Sequence, residues 1–394
     1  MSGPLRAGAA AAADSDPRAA ARRAAREARD ALGGAAEAGL VFATPEHADA
    51  SPELLAEVAG ILGTHNLAGA CVHGLVMPGL CSETGPAVGV AALGGIEARA
   101  FLLDDLAGSE EHAGEEIAAL LPGGPTERDL VVTLPDPDVL GGGAFLEGLR
   151  RALGPASVVG VGAVEAAGGA ALVWAGEAVA AGAVAGLVLR AESPPRVGVA
   201  QSCLPATDLL CVTRARGHWI LELDGRPALE VFREVAREPL AVDLRRAARF
   251  VMAALPGDGR VMAALPGDGR LEDGSYAVRN IVGFDAEEQA FAVADRLAPG
   301  ASLALAVREP EAARADLKRV VAALAEPGPA LALYFDCLAR GSALFGHDGL
   351  EAGYLAAGLD PAPVLGVMGS LEIGPVAGRP ELLTYTGVLA LLDA

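Results

Sequence analysis

Asp336, Cys337 and Arg340 crowd the end of an apolar run in LALYFDCLARGSALFG (331–346), and Glu372 sits between glycines and a proline in GVMGSLEIGP (366–375). A strand that ends in charged or nucleophilic side chains opens onto a site, because ligands of sheet-containing folds bind at strand ends. The guanidinium fork of Arg340 suits a carboxylate, and Asp336 or Glu372 suits an ammonium group. Together they would read a small zwitterion. The competing expectation is internal: Arg340 pairs with Glu372 or Asp336 and ties the domain together. Cys337 would be a nucleophile only beside a base and with a lowered pKa. His347 is merely the closest histidine in sequence. Most cysteines in such a place are small buried apolar residues. A second polar interruption, QSCLPATD (201–208), offers Gln201 and Cys203 either to the pocket of another domain or to a turn.

Other chemistries find little footing. The histidines (His47, His65, His73, His112, His218, His347) show no HxxxH spacing, so no metal site is expected. The five cysteines (Cys71, Cys81, Cys203, Cys211, Cys337) are odd in number and lack CxxC, which argues for reduced thiols in a cytoplasmic protein. GVGAVE (160–165) lacks the third glycine of a dinucleotide loop and runs into a strand-like segment, and there is no Walker A run. Lys plus Arg is 30 against 51 Asp plus Glu, a net charge of −21. Such a chain repels nucleic acid and anionic membranes, so neither is an expected partner. The longest apolar stretch, 168–191, carries Glu177 and several glycines and reads as two short strands joined by a turn. No secretory signal is expected either.

The elements that would position these residues recur. An apolar strand, an amphipathic helix, a Gly-rich strand and another apolar strand follow one another three times. Copy one is 40–44, 52–63, 69–79 and 87–93; copy two is 130–134, 144–153, 158–168 and 184–190; copy three is 331–336, 349–358, 364–375 and 383–392. In the first helix Leu54, Leu55, Val58, Ile61 and Leu62 share one face. Mixed sheets with helices on their faces follow, an α+β fold in layers. Between copies two and three, segments 195–203, 209–217, 219–225, 278–285, 289–295 and 301–309 read as antiparallel strands, with helices at 227–236 and 310–324. VMAALPGDGR stands twice in succession, at 251–260 and 261–270, and reads as an exposed surface connection that tolerates insertion. Residues 1–16 are Ala/Gly-rich and expected without structure, and 17–32 form a helix with Pro17 in its first turn and Gly33 at its stop. The expected organisation is an N-terminal arm (1–35), a first domain (36–236) and a second (237–394).

The chain resembles the FIST proteins, which carry an N-terminal and a C-terminal FIST domain. The similar pieces run in order from about 36 to 392: GACVHG with ETGPAVGVAAL; VGVAQSCLPATDLLCVTRARGHWILELDGRPALEVF; VRNIVGFDAEEQAFAVADRLAPGASLALAVRE; LYFDCLARGSALFG; GVMGSLEIGP; and YTGVLALL. The resemblance implies an intracellular sensory protein that binds a small polar ligand, an amino acid or a related metabolite. Its ligand-facing set would be Asp336, Cys337, Arg340, Glu372, Gly374 and Tyr385, with Gln201 and Cys203 in the other domain. No cofactor is expected. The alternatives are a haem-binding nitric-oxide sensor, as some relatives are, and an enzyme using Cys337. No kinase, chemoreceptor or cyclase segment is present, so signalling would use a separate partner such as a histidine kinase. The family usually has glycine before the glutamate of Glu-Ile-Gly-Pro; here it is Leu371, which alters the torsions open to that backbone.

Overall fold

The computed structural model describes residues 3–238, 240–257, 271 and 274–394. The fold mixes helices with several sheets, as the alternating pattern requires. The chain divides into two compact units. One holds residues up to 200, 317–375 and 386–394; the other holds 201–316 and 376–385. None of the four boundaries falls at residue 236, because the third copy belongs with the first two.

In the first unit the three copies share one topology. Copy one has a first strand Ala38–Ala43, a helix Ser51–Leu62 and a second strand Leu67–Cys71, with a return strand Ala87–Gly94 on the other side of the first. The corresponding elements of copy two are Asp129–Pro135, Ala144–Leu153, Ser157–Val161 and Val184–Arg190. Those of copy three are Leu331–Cys337, Leu350–Leu359, Val364–Gly369 and Thr386–Leu392. In each, the second strand is parallel to the first and the return strand antiparallel to it. The helix supplies the crossover that a parallel pair needs.

Each copy is preceded by one more strand, which pairs with the return strand, and one more helix. In copy one these are Arg6–Ala13 and Pro17–Leu32. The Ala/Gly-rich segment expected without structure is therefore a strand. Alanine is a poor strand former in isolation, but here the helix presents Ala20, Ala21, Ala24, Ala25 and Ala28 to the core, all fully buried. Small side chains bring the two backbones together; a Cβ on Gly8 would lie 2.0 Å from the Ala28 carbonyl oxygen. Asp16 caps the helix by accepting from the Arg18 N–H, and Gly33 ends it in the left-handed conformation.

The segment after each second strand does not return to its own sheet. Gly74–Met77 of copy one pairs antiparallel with Val364–Gly369 of copy three. Val173–Ala175 of copy two pairs with Leu67–Cys71 of copy one. Glu372–Val376 of copy three pairs with Ser157–Val161 of copy two. Each copy thus lends a strand to another, and the three loans close a ring. Trp174 shows how one is fastened: fully buried, it crosses Gly69 and donates from Nε1 to the Val41 carbonyl at 3.0 Å.

The strand pairs described in the second unit are antiparallel. Its strands include Leu210–Arg216, Trp219–Leu223, Val251–Pro256, Tyr276–Arg279, Ile281–Asp285, Ala290–Val293 and Ser302–Arg308. Helix Ala228–Ala236 drives Phe232 into the core, with its ring centroid 5.0 Å from that of Phe284 and 6.0 Å from that of Phe291. One expectation is corrected here. Val251–Pro256, the apolar half of the first VMAALPGDGR, is an interior strand flanked by Ser302–Arg308 and Tyr276–Arg279 rather than a surface connection. The apolar run VMAAL is buried and paired on both sides, and that burial outweighs both its two alanines and the turn-forming PGDG that follows. The second copy, 261–270, lies outside the described residues.

Candidate functional site

Strand Leu331–Cys337 and helix Leu350–Leu359 bring together a buried polar cluster. Arg340 and Asp336 are wholly buried and Glu351 nearly so. The Arg340 Nε and Nη2 donate to Glu351 Oε1 at 2.9 and 2.6 Å, Nη1 donates to the Ala200 carbonyl at 3.3 Å, and Asp336 Oδ1 lies 3.0 Å from Nε. The Tyr334 hydroxyl donates to Glu351 Oε1 at 2.8 Å. Burial raises the Glu351 pKa, but the Arg340 charge and the hydrogen bonds it receives outweigh burial and hold it below the ordinary value. Glu351 is therefore the ionised partner of Arg340. Asp336 is pushed well above the ordinary range, first by burial and then by the Glu351 charge.

Glu372 lies in the same interior. Its Oε2 accepts from the Thr386 hydroxyl at 2.8 Å and from the Thr386 N–H at 3.3 Å, and the Cys337 thiol faces the carboxyl. Burial pushes the Glu372 carboxyl up to about 8. Oδ2 of Asp336 and Oε1 of Glu372 are buried without a full hydrogen bond. Cys337 is 4% exposed and Gly374 is buried in the lent strand. His347 is exposed, with Nδ1 3.3 Å from the Asp348 carbonyl. The remaining candidates belong to the second unit. Gln201 and Cys203 are buried; Gln201 Nε2 donates to the Tyr276 carbonyl, and the Tyr276 hydroxyl donates to the Cys203 carbonyl. The Tyr385 hydroxyl donates to Asn280 Oδ1 at 2.6 Å. The structure thus gathers Asp336, Cys337, Arg340 and Glu372 within the first unit, while Gln201, Cys203 and Tyr385 belong to the second.

One cavity lies next to this cluster in sequence, where the three first strands end and the lent strands begin. A cavity of about 650 Å³ is lined by Pro45 and His73 of copy one, by Asp136, Pro137, Asp138, Ala163, Val164, Glu165, 169–171 and 181–182 of copy two, and by Leu338 and Ser370 of copy three. Its volume is that of a small-molecule site. The walls are held by backbone bonds across the loans: His73 N–H to the Met368 carbonyl, Val164 N–H to Cys71 and Gly162 N–H to Leu371, at 2.7–3.0 Å. Asp136 is buried and built in, its Oδ1 accepting from the Asp138 N–H at 3.1 Å and its Oδ2 from the Gly182 N–H at 2.7 Å. The Ser370 hydroxyl donates to the Ala163 carbonyl at 2.9 Å. His73, Asp138 and Glu165 are exposed, and Leu338 keeps 40% of its surface open. Three carboxylates therefore meet one imidazole, a wall that favours donors and cations.

These cavity residues were not singled out in the sequence. The signal existed: PDPD (135–138) follows LVVTL as Asp336-Cys337 closes LALYF, and the repeat makes those strand ends equivalent.

The fold and site define a triplicated α+β scaffold with an acidic cavity at the junction of its copies. The chain belongs to the FIST family: residues 37–226 match the FIST N domain and 228–375 the FIST C domain. FIST domains are sensor domains of signal transduction. An uncharacterized protein of Mycobacterium tuberculosis, Rv0628c, is 30% identical over 386 residues, covering 95% of this chain and 96% of that one. Another from Mycobacterium bovis, Mb0898c, is 30% identical over 395 residues with the same coverage. Among solved structures, a cyanuric acid hydrolase from A. caulinodans aligns with 48% of this chain and 71% of its own at 12% identity and a TM-score of 0.29, too loose to carry an argument. The two family domains do not coincide with the two compact units: the FIST N domain supplies copies one and two, and the FIST C domain supplies most of copy three. No helix among the described residues is long and apolar enough to cross a membrane.

Proposed function

We propose that this protein is a sensor of a small polar molecule bearing a cationic amine, bound in the cavity where the three copies meet. The observation that carries the reading is the composition of that cavity: exposed Asp138 and Glu165 beside buried Asp136, with apolar Pro45, Pro137 and Leu338 for the rest of the ligand. Carboxylates held at fixed strand ends bind an ammonium group by charge-assisted hydrogen bonds. The Asp336–Arg340–Glu351 cluster lies behind Leu338 in sequence and supports the strand end that carries it. A bound ligand would touch all three copies, so its occupancy would be felt across the ring and read by a separate signalling protein.

A thermal-shift and calorimetric screen with amino acids, polyamines and their N-acetylated forms tests this. Amine-bearing compounds should bind and their acetylated forms should not. The double variant Asp138→Asn, Glu165→Gln should lose at least about tenfold in affinity, as expected when charge-assisted bonds become neutral ones. Equal binding of acetylated compounds, or unchanged affinity in the double variant, would refute the assignment.

A further inference from the structure

The second unit holds a wide apolar cavity along Ile281–Asp285, a strand at the edge of its sheet. The cavity measures about 800 Å³, the size of a small-molecule site, and its walls include Trp219, Leu244, Val282 and Phe284. We propose that it binds a monocarboxylate with an apolar body, and that Arg245 takes the carboxylate.

The apolar walls are within reach of solvent. Val242 and Val282 keep 75% and 62% of their surface open. Single exposed valines are ordinary, but these two share one concavity with the rings of Trp219 and Phe284. An apolar molecule seated there withdraws all of them from water. Gly283 makes room for it. A Cβ at that position would stand 3.4 Å from Cη2 of Trp219, so the absent side chain leaves space over that edge of the indole, and both residues line the cavity.

Charge decides which apolar molecule fits. The lining carries two charged residues, Asp243 and Arg245. Asp243 is engaged in the fold: its Oδ1 accepts from the Arg246 N–H at 3.0 Å and caps the short helix Leu244–Ala247. Arg245 is exposed and, among the described residues, its side chain has neither an ion pair nor a hydrogen bond; the same is true of Arg246 and Arg249, which follow it. In a chain of net charge −21, three arginines without a carboxylate create a local positive potential. A carboxylate at Arg245 gains a charge-assisted bond that the guanidinium fork can make bidentate. An ammonium group would meet the same arginines with only the capping Asp243 to answer it.

Titration calorimetry and tryptophan fluorescence on the full chain, with phenylbutyrate, phenylbutyramide and phenylbutylamine as probes, test the site. The acid should bind saturably, at least about tenfold more tightly than the neutral amide, and should change the tryptophan emission. Trp219→Phe should remove that change, because the other tryptophan, Trp174, is buried in the first unit. The amine is a probe of the first-unit cavity as well, so it is followed by Trp219 emission alone, which it should leave unaltered. Arg245→Ala should weaken the acid about tenfold and leave the melting temperature unchanged, since the side chain it removes is exposed and unpaired. Val282→Asp, at another open position, should weaken the acid at least as much. The double variant Asp138→Asn, Glu165→Gln should bind the acid as the parent does, which separates this site from the amine cavity. The proposal is overturned if the acid does not saturate, if the amide binds as tightly, if Arg245→Ala binds the acid as the parent does, or if the double variant loses it. A dimer seen by light scattering and lost in Val282→Asp, with no binding of the acid, would assign the cavity to a second copy of the chain and overturn it equally.

Discussion

Glu372 is the residue whose environment has the most direct consequence in solution. Folded, it holds its proton up to about pH 8; unfolded, it releases it near the ordinary 4.5. Between those values the folded state binds more protons, so this contribution to stability is complete below the lower value and is lost as pH rises through the upper one. The slope for one such group is about −1.4 kcal/mol per pH unit at most. Asp336, raised for the same reason, acts in the same direction. Glu372→Gln keeps an acceptor for the Thr386 hydroxyl and cannot ionise. Urea unfolding of parent and variant between about pH 5 and 8 should therefore show the parent losing stability relative to the variant as pH rises. A difference that stays constant with pH would show that Glu372 is ionised in the fold. Arg340 has the opposite status. Its removal would leave Glu351 charged and buried, at a cost of about 3–5 kcal/mol, so lost binding in Arg340→Ala would report unfolding.

Elements explain why some of this was legible in the chain and some was not. The strands and helices of all three copies could be read because each combines an apolar run with a helical stripe, and glycine stops the helices of copies one and two. Their pairing could not. A strand's own sequence says which of its faces is apolar, not which neighbour it will lie beside, so the loans of Gly74–Met77, Val173–Ala175 and Glu372–Val376 left no mark. The same limit hid the second of Arg340's carboxylate partners. Glu351 stands on one stripe with Leu355 and Leu359, at i+4 and i+8, and a carboxylate on a buried stripe announces a buried cation. Asp336 and Arg340 drew attention by their charge, and burial made them internal. Trp174 gives the test at this scale. It is the largest side chain in its lent strand, fully buried, and tied to Val41 of another copy. Trp174→Ala should cost about 3–5 kcal/mol in denaturant unfolding followed by circular dichroism. A loss under about 1 kcal/mol would mean that the loan is held by backbone pairing alone.

For the whole molecule the ring matters more than any one loan. A copy taken alone lacks the strand that covers its second strand and carries a strand with nowhere to pair. Copies one and two together have the same defect: Ser157–Val161 loses its cover from Glu372–Val376, and Gly74–Met77 loses Val364–Gly369. Open apolar strand edges of this kind pair with other chains. A chain cut after residue 192, which ends between copy two and the strand that precedes copy three, should therefore not give a dispersed native-like monomer, although it spans most of the FIST N domain match. Size-exclusion chromatography with light scattering and amide NMR would show aggregates or a loosely packed species. Restoring copy three should restore a monomer, because only the third copy closes the ring. A well-dispersed spectrum from the 1–192 piece at monomer mass would show that two copies satisfy each other's edges in a pairing different from that of the full chain. The cavity, whose walls come from all three copies, would then be built otherwise as well.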